Sequence, residues 1–289
     1  MMQSKKIIVC PNPYKDNRFD LSTQVAAMLQ RNGYQTVMCP VFVGEDGSEN
    51  AVDLDKLAED AVMLVAVGGD GTFLQVARAI MGRDVPLIGI NMGTKGFLAE
   101  LEPQEAELLL AAAEGRFQPS RRMLLDVKLI RDGKVLLKDL ALNDAVIKCD
   151  VNAIGLSVMS DDVTMSEYSG DGVIVSTPTG STAYSMSAGG PIVEPRAQAI
   201  VVTPICAHDL AVRSFVLSPE RMVKVLPSRM RGRRAMLSVD GSEPVEVHAG
   251  DVVQVSRSEK QILIADMGIN NFFDMTRSKL TANNRRERG

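Results

Sequence analysis

Hydrophobic and polar positions in the first 120 residues follow two alternating patterns. Short, almost wholly apolar runs lie between segments in which apolar residues recur every three or four positions. The apolar runs are typical of buried parallel strands, and the recurrence predicts amphipathic helices. The predicted strands are residues 6–11, 36–42, 63–69 and 86–91, and the predicted helices are residues 21–33, 54–60 and 105–115. Residues 1–121 are therefore predicted to form a Rossmann-like α/β domain.

The pattern changes near residue 122. Residues 125–140 alternate apolar and polar side chains around Asp132 and Gly133, which predicts a β-hairpin. Residues 152–168 predict two more strands around Asp161 and Asp162, and glycine turns divide residues 235–266 into four short predicted strands. Residues 122–268 are therefore predicted to be a β-sandwich of two packed antiparallel sheets.

The C-terminal residues 269–289 have a helical pattern again. Phe272, Phe273, Met275 and Leu280 would need a hydrophobic surface to cover. We therefore expect this segment to pack back on the N-terminal domain.

Composition excludes several classes of protein. A net charge of −4 and a pI near 5.4 give no basic footprint for nucleic acid. The sequence contains no run of 18 apolar residues, so we expect no membrane span. The N-terminus lacks the long apolar region of a signal peptide. The four cysteines form no CxxC pair, so we expect buried free thiols in a reducing, cytoplasmic protein.

Residues 63–80 combine a predicted strand, a glycine turn and a predicted helix. Gly68, Gly69 and Gly71 let a ligand approach the backbone, and the helix that begins near Thr72 presents unpaired N–H groups to phosphate. Neither of the two common glycine-rich nucleotide-binding motifs, GxxxxGK(S/T) and GxGxxG, is present. Asp70 lies inside this turn, although a carboxylate repels phosphate. Three roles stay open for it: a general base, a Mg²⁺ ligand, or a helix cap.

A second motif, GDGVIVSTPTGSTAYSMSAGGPIV, spans residues 170–193. A predicted strand runs into a turn in which Thr179 and Thr182 offer hydroxyl groups. Tyr184 offers a flat face on which a base can stack, and Asp171 can accept a hydrogen bond from a ribose hydroxyl or an amide. The alternative is a tight strand-to-helix turn that its own hydroxyl groups cap.

Taken together, these motifs resemble the NAD kinase family. The resemblance covers most of the chain and rests on residues 68–74, 90–101, 142–148, 170–191, 203–217 and 238–241. Lipid kinases and phosphofructokinases have turns similar to GGDGT, whereas PTGSTAYSMSAGGP in this order is specific. A lipid or sugar kinase, a non-catalytic dinucleotide sensor and a structural scaffold are the alternatives.

The resemblance implies an enzyme that transfers the γ-phosphate of ATP, or of polyphosphate, to the 2′-hydroxyl of the adenosine ribose of NAD. Asp70 matches the family's base, and Gly68, Gly69, Gly71 and Thr72 are the phosphate-binding candidates. The implied cofactor is Mg²⁺ with ATP, with no protein side chain assigned as its ligand, and the implied assembly is a homotetramer or homodimer. The implied NAD-binding residues are Gly71, Phe73, Asn143, Asp144, Asp171, Thr179, Thr182, Ala183, Tyr184, Ser187 and Asp240.

The chain departs from the family pattern at three positions. Asp144 stands where the family usually has Glu, Lys95 replaces a Leu close to the GGDG turn, and Thr276 replaces a Leu in the tail. In the family, members that use only oxidised NAD have a bulky, positively charged residue near position 169. Ser169 of this chain is small, so NADH is a second candidate substrate.

Overall fold

The structure, a computed structural model, describes residues 5–41, 53–93, 96–149, 153–230, 232–269 and 271–286. The chain divides into two compact units. The first unit consists of residues 1–121 and 262–289, and the second consists of residues 122–261.

The first unit has a parallel sheet with strand order β2-β1-β3-β4. Its strands are β1 (Lys6–Pro11), β2 (Gln35–Met38), β3 (Ala61–Gly68) and β4 (Leu87–Asn91), and its helices are α1 (Asp20–Arg31), α2 (Leu54–Leu57), α3 (Asp70–Ala79) and α4 (Leu108–Ala113). Because β1, β3 and β4 are almost wholly buried, they carry the unbroken apolar runs that the sequence shows. The predicted α/β domain is confirmed.

One hydrophobic cluster of this unit lies between the sheet and two helices. Leu29 of α1 and Leu109 of α4 have no exposed surface, and they belong to one cluster with Ile7, Val65 and Ile88 of the strands. This cluster holds the carboxyl ends of β1, β3 and β4 at one edge, where ligands of such sheets bind.

The C-terminal helix α6 (Phe272–Arg286) belongs to the first unit. The Phe272 ring lies 6.4 Å from the Phe97 ring, and the Lys279 ammonium lies 4.1 Å from the centre of the Phe97 ring. The return of the tail to the first domain, expected from its apolar residues, is therefore observed.

The second unit consists mainly of antiparallel strands. They are β5 (Gln118–Arg131), β6 (Lys134–Ala141), β7 (Asp144–Cys149), β8 (Ile154–Ser160), β9 (Val163–Gly170), β10 (Gly172–Ser176), β11 (Ile200–Ile205), β12 (Phe215–Leu217), β13 (Val223–Pro227), β14 (Ala235–Val239), β15 (Val245–Val247) and β16 (Val252–Asp266), with a short helix α5 (Tyr184–Ser187). Two of these strands cross the boundary between the units, since β5 begins in the first unit and β16 ends there.

Two sheets of the second unit enclose one hydrophobic core. One sheet has the order β12-β11-β10-β7-β14-β15, and in the other β16, β13, β8 and β9 are neighbours. Val173 and Leu237 of the first sheet and Leu156 and Val225 of the second belong to the same buried cluster. This arrangement is the predicted β-sandwich. Among the described residues, no helix is both long and apolar enough to cross a membrane.

Three local predictions were wrong. Residues 235–266 form three strands and not four, because β16 continues through the polar residues 256–261. The helix expected at 105–115 is split into a 3-10 turn, Pro103–Glu105, and the shorter α4. Cys206, expected to be buried, is exposed, whereas the other three cysteines are buried.

Candidate active site

The glycine–aspartate turn joins β3 to α3, and at Gly68 its geometry leaves no room for a side chain. A Cβ at Gly68 would overlap the side chain of Thr72. The Thr72 hydroxyl in turn accepts a hydrogen bond of 2.9 Å from Asn12 Nδ2, and both residues are buried. These buried contacts therefore fix the turn, and the N-terminus of α3 is held at the carboxyl edge of the sheet.

Asp70 is the first residue of α3, and the backbone of a later loop orients its carboxylate. The N–H of Phe97 donates to Oδ2 at 2.7 Å, and the N–H groups of Leu98 and Ala99 donate to Oδ1 at 3.0 and 3.3 Å. A Cβ at Gly96 would overlap this carboxylate. A carboxylate has about four acceptor positions. Three are used by these donors, so the described residues leave one position on Oδ2 for a ligand hydroxyl.

The side chains next to Asp70 in the sequence differ in exposure. Gly71 is exposed, and a Cβ there would meet no atom within 4 Å, so the backbone at this position faces open space. Phe73 has no exposed surface, and its ring lies against Gly89. Of these two predicted NAD-binding residues, Gly71 can meet a ligand directly, and Phe73 packs inside the domain against β4.

A second cluster of predicted residues lies in the second unit, around Asp240. The Asp240 carboxylate accepts the N–H groups of Leu142, Asn143 and Asp144 at 2.7, 2.8 and 3.0 Å. The Asp240 N–H donates back to the carbonyl of Asp144 at 2.9 Å. This reciprocal set of bonds fixes the turn that leads into β7.

Thr177 attaches the same turn to the second motif. Its hydroxyl donates to the carbonyl of Leu142 at 2.5 Å and accepts the N–H of Gly180 at 3.0 Å, while its own N–H donates to the carbonyl of Asn143 at 2.9 Å. A Cβ at Gly180 would overlap that Asn143 carbonyl. The absence of a side chain at Gly180 thus serves close backbone packing.

Asp144 is a buried acid with 5 % of its surface exposed. No hydrogen bond from a described residue reaches its carboxyl group. Burial, reinforced by the negative charge of Asp240, raises the pKa of Asp144 to about 7. In β7 it is paired with Ser176 of β10, whose buried hydroxyl has no partner among the described residues. Asp144 keeps a small exposed surface that a ligand can reach, whereas the Ser176 hydroxyl is completely buried.

The remaining predicted residues follow β10 or precede it. Asp171 is half-buried, and its main chain bridges Cys149 and Ile205 through hydrogen bonds of 2.8 and 3.0 Å. Thr179 is buried. Thr182 and Ala183 are half-buried, and Tyr184 and Ser187 of α5 are exposed. The structure thus leaves surface for a ligand at the residues just before and within α5.

Comparison with known proteins finds a family match in each half of the chain. The family described as the ATP-NAD kinase N-terminal domain matches residues 7–115, and the ATP-NAD kinase C-terminal domain matches residues 142–267. The NAD kinase of Acetivibrio thermocellus is 37% identical over 279 residues, which cover 95% of this chain and 96% of that protein. This chain belongs to the NAD kinase family.

Further relatives extend this result. The NAD kinase of Ruminiclostridium cellulolyticum is 36% identical over 283 residues, covering 96% of this chain and 98% of that protein. A crystal structure of an NAD kinase from Archaeoglobus fulgidus in complex with ATP has a TM-score of 0.72 and 25% identity, covering 91% of this chain and 94% of that one. Yeast NADH kinase complexed with NADH has the same fold, with a TM-score of 0.81, 23% identity, and coverage of 95% and 86%.

The expected NAD kinase activity, a phosphotransferase activity, is supported by this family membership.

Two of the three departures from the family pattern can be placed in the structure. Asp144 is the buried acid described above, and Thr276 donates to the carbonyl of Phe272 within α6 at 2.9 Å. Lys95 lies outside the described residues.

Sequence reasoning missed several residues of this candidate site. Asn12, Gly96 and Thr177 fix the two turns but were not singled out. Gly96 and Thr177 lie inside motifs that carried the resemblance, so the motifs themselves held the signal. Asn12 had no such signal, because it is 60 residues from Thr72 in the sequence.

Proposed function

We propose that this protein transfers the γ-phosphate of ATP to the 2′-hydroxyl of the adenosine ribose of NAD and so forms NADP and ADP. The ribose oxygen attacks the γ-phosphorus, and the bond between that phosphorus and the β,γ-bridging oxygen breaks. The proton of the hydroxyl leaves with a base. Family membership and the likeness to an ATP-bound NAD kinase support this reaction.

The geometry of Asp70 is the observation that carries the proposal. Three backbone N–H groups fix its carboxylate, and one acceptor position on Oδ2 remains among the described residues. A base must be held within hydrogen-bond reach of the proton it takes. We assign to Oδ2 the acceptance of the ribose proton. This assignment replaces the helix-cap alternative, because the carboxylate bonds to a distant loop and makes no capping bond in α3.

The phosphates of ATP are assigned to Gly68, Gly69, Gly71 and Thr72, where the first N–H groups of α3 have no helical partner. Mg²⁺ enters as part of the ATP substrate. Among the described residues, no three His, Cys, Asp or Glu side chains lie close enough together to hold a metal ion. The one acceptor position left on the Asp70 carboxylate is assigned to the ribose hydroxyl, so we assign no protein side chain to Mg²⁺.

NAD is assigned to the second cluster. Asn143 and Asp144 are to bind the adenosine ribose and base, and Tyr184 offers an exposed ring on which the base can stack. Asp171, Thr179, Thr182, Ala183 and Ser187 complete this proposed set. Asp240, whose carboxylate accepts three N–H groups of residues 142–144, is assigned here to hold Asn143 and Asp144 in place.

Four finer properties belong to the proposal. NADH is a second acceptor, since Ser169 is small, and polyphosphate is a second donor. The protein is cytoplasmic and assembles as a homotetramer or homodimer. Leu210 and Val216 of the second unit are exposed apolar side chains, which supports assembly through the β domain. Light scattering after size-exclusion chromatography measures the assembly, and a monomer at micromolar concentration would contradict it.

The experiment is a coupled assay on the purified full chain. The protein is incubated with NAD, Mg²⁺ and ATP, and NADP is detected with an NADP-specific dehydrogenase. Parallel reactions replace ATP by polyphosphate and NAD by NADH. NADP formed from ATP supports the kinase. Binding of NAD without NADP from either donor would instead support the dinucleotide sensor.

A further inference from the structure

One lysine next to the glycine–aspartate turn has no role in the function assigned above. The ammonium of Lys15 lies 3.4 Å from the position that a Cβ of Gly69 would take and 3.5 Å from that of Gly93. Both residues are glycines, so the lysine lies over bare backbone. The Lys15 side chain is exposed. Its positive charge therefore lies on the solvent side of the glycine–aspartate turn, to which the ATP phosphates are assigned above.

The segment that carries Lys15 is tied to the same turn. The N–H of Asn12 donates to the carbonyl of Val67 at 2.9 Å, and Asn12 Nδ2 donates to the Thr72 hydroxyl. The carbonyl of Asn12 then accepts the N–H groups of Lys15 and Asp16 at 3.1 and 2.9 Å. The backbone of Lys15 is thus positioned relative to α3 before any ligand arrives, which reduces the entropy lost on binding.

The carboxylates of Asp16 and Asp70 accept hydrogen bonds from other groups. Asp16 is buried, and its carboxylate accepts the N–H groups of Leu21 and Ser22 and the Ser22 hydroxyl. The Asp70 carboxylate is engaged by residues 97–99. Within the part of the chain that the structure describes, no carboxylate forms an ion pair with Lys15. Its positive charge is available to an anion.

We propose that Lys15 contacts the phosphates of the phosphoryl donor. This inference rests on the proposed function and adds a residue to it. An ammonium is a compact charge with three donors, and it can bridge two phosphate groups. Because the contact is to phosphate and not to the nucleoside, it serves ATP and inorganic polyphosphate alike. Lys15 is therefore a determinant of donor affinity and leaves the affinity for NAD unchanged.

The test compares Lys15→Met with Lys15→Arg and with a matched control, Lys5→Met. Lys5 is also exposed, but it precedes β1 and so lies at the opposite end of that strand. All three full-length variants are titrated with ATP and with inorganic tripolyphosphate in the absence of NAD, and the KM values for ATP and NAD are then measured. Hydrogen bonds to charged groups are commonly worth a factor of about 10 to 100 in affinity.

For Lys15→Met we expect the dissociation constants of ATP and tripolyphosphate to rise by a similar factor of about 10 to 100. The KM for ATP rises with them, and the KM for NAD stays within about twofold. Lys15→Arg retains most of the affinity, and Lys5→Met matches the wild type. Wild-type affinity for both anions in Lys15→Met overturns the inference, as does an equal loss in Lys5→Met. Since these titrations need no turnover, they separate this inference from the kinase assignment, which fails only if the wild type forms no NADP.

Discussion

Gly96 leaves the space that the Asp70 carboxylate fills. Any side chain at position 96 would overlap the carboxylate, and the three residues that follow Gly96 donate their N–H groups to it. The Asp70 carboxylate is therefore oriented by a loop that begins with a glycine, whose missing side chain makes room for it. This relationship ties the GGDG turn to residues 97–99 through hydrogen bonds across 27 to 29 residues of sequence.

Replacement of Gly96 by Ala is expected to disable the enzyme while its fold persists. The new methyl group forces the Asp70 carboxylate to rotate away from its donors, since the side chain of Asp70 moves more easily than the backbone. We expect kcat to fall by about 10² to 10⁴, the range for loss of a general base. The KM for NAD should change little, and circular dichroism should match the wild type.

A double variant tests whether this loss acts through Asp70. If Gly96→Ala works by displacing the carboxylate, adding Asp70→Asn should cost little more, because the two changes remove one interaction. Additive losses in kcat, or wild-type turnover in Gly96→Ala, would show that the loop does not position Asp70.

Thr177 and Ser176 provide a matched pair of buried hydroxyl groups. Thr177→Val leaves the Leu142 carbonyl and the Gly180 N–H without their partner, so we expect the free energy of unfolding to fall by about 1–3 kcal/mol. The KM for NAD should rise several-fold, because residues 142–144 are then held less firmly. Ser176→Ala removes a hydroxyl that has no partner among the described residues, and its free energy of unfolding should match or exceed that of the wild type. Denaturant titration measures both, and equal destabilisation by the two changes would contradict this account.

Asp144 is expected to make the free energy of unfolding depend on pH. Because burial raises its pKa from 3.8 in the unfolded reference to about 7, the folded state keeps a proton that the unfolded state has lost. The free energy of unfolding should therefore fall as the pH rises from about 4 to about 7. One pKa unit corresponds to 1.36 kcal/mol, so the fall has an upper limit of about 4 kcal/mol.

Asp144→Asn is the control for that dependence, since an amide does not titrate in this range. Denaturant unfolding of both proteins is compared between pH 4 and 8. The difference in free energy of unfolding should move in favour of the variant as the pH rises. Parallel profiles would show that Asp144 titrates near its ordinary pKa in the folded protein.

Hydrophobic patterning predicted most of the fold because the buried faces are continuous. The apolar runs of β1, β3 and β4 are short and unbroken, which is typical of strands covered on both sides. The pattern failed in β16, where residues 256–261 are polar and mostly exposed and therefore resemble a turn. Exposed positions carry no apolar signal. A long strand with an exposed middle is therefore predicted as two separate strands.

The candidate site was predictable at its motifs and not at the contacts that support them. Asp70 and Asp240 are acidic residues in recognisable glycine turns, and both were predicted from the sequence. Their partners are backbone N–H groups of Phe97 and of Asn143, and a backbone donor leaves no trace in residue identity. Which loop orients each carboxylate could therefore be learned only from the structure.

The most direct test of the account is the effect of Asp70→Asn on a single turnover. NADP formation is followed at saturating ATP and NAD, and NAD binding is measured separately by calorimetry. We predict that the variant binds NAD like the wild type and forms NADP about 10² to 10⁴ times more slowly. A variant that folds, binds NAD and forms NADP at the wild-type rate would contradict the role assigned to Asp70.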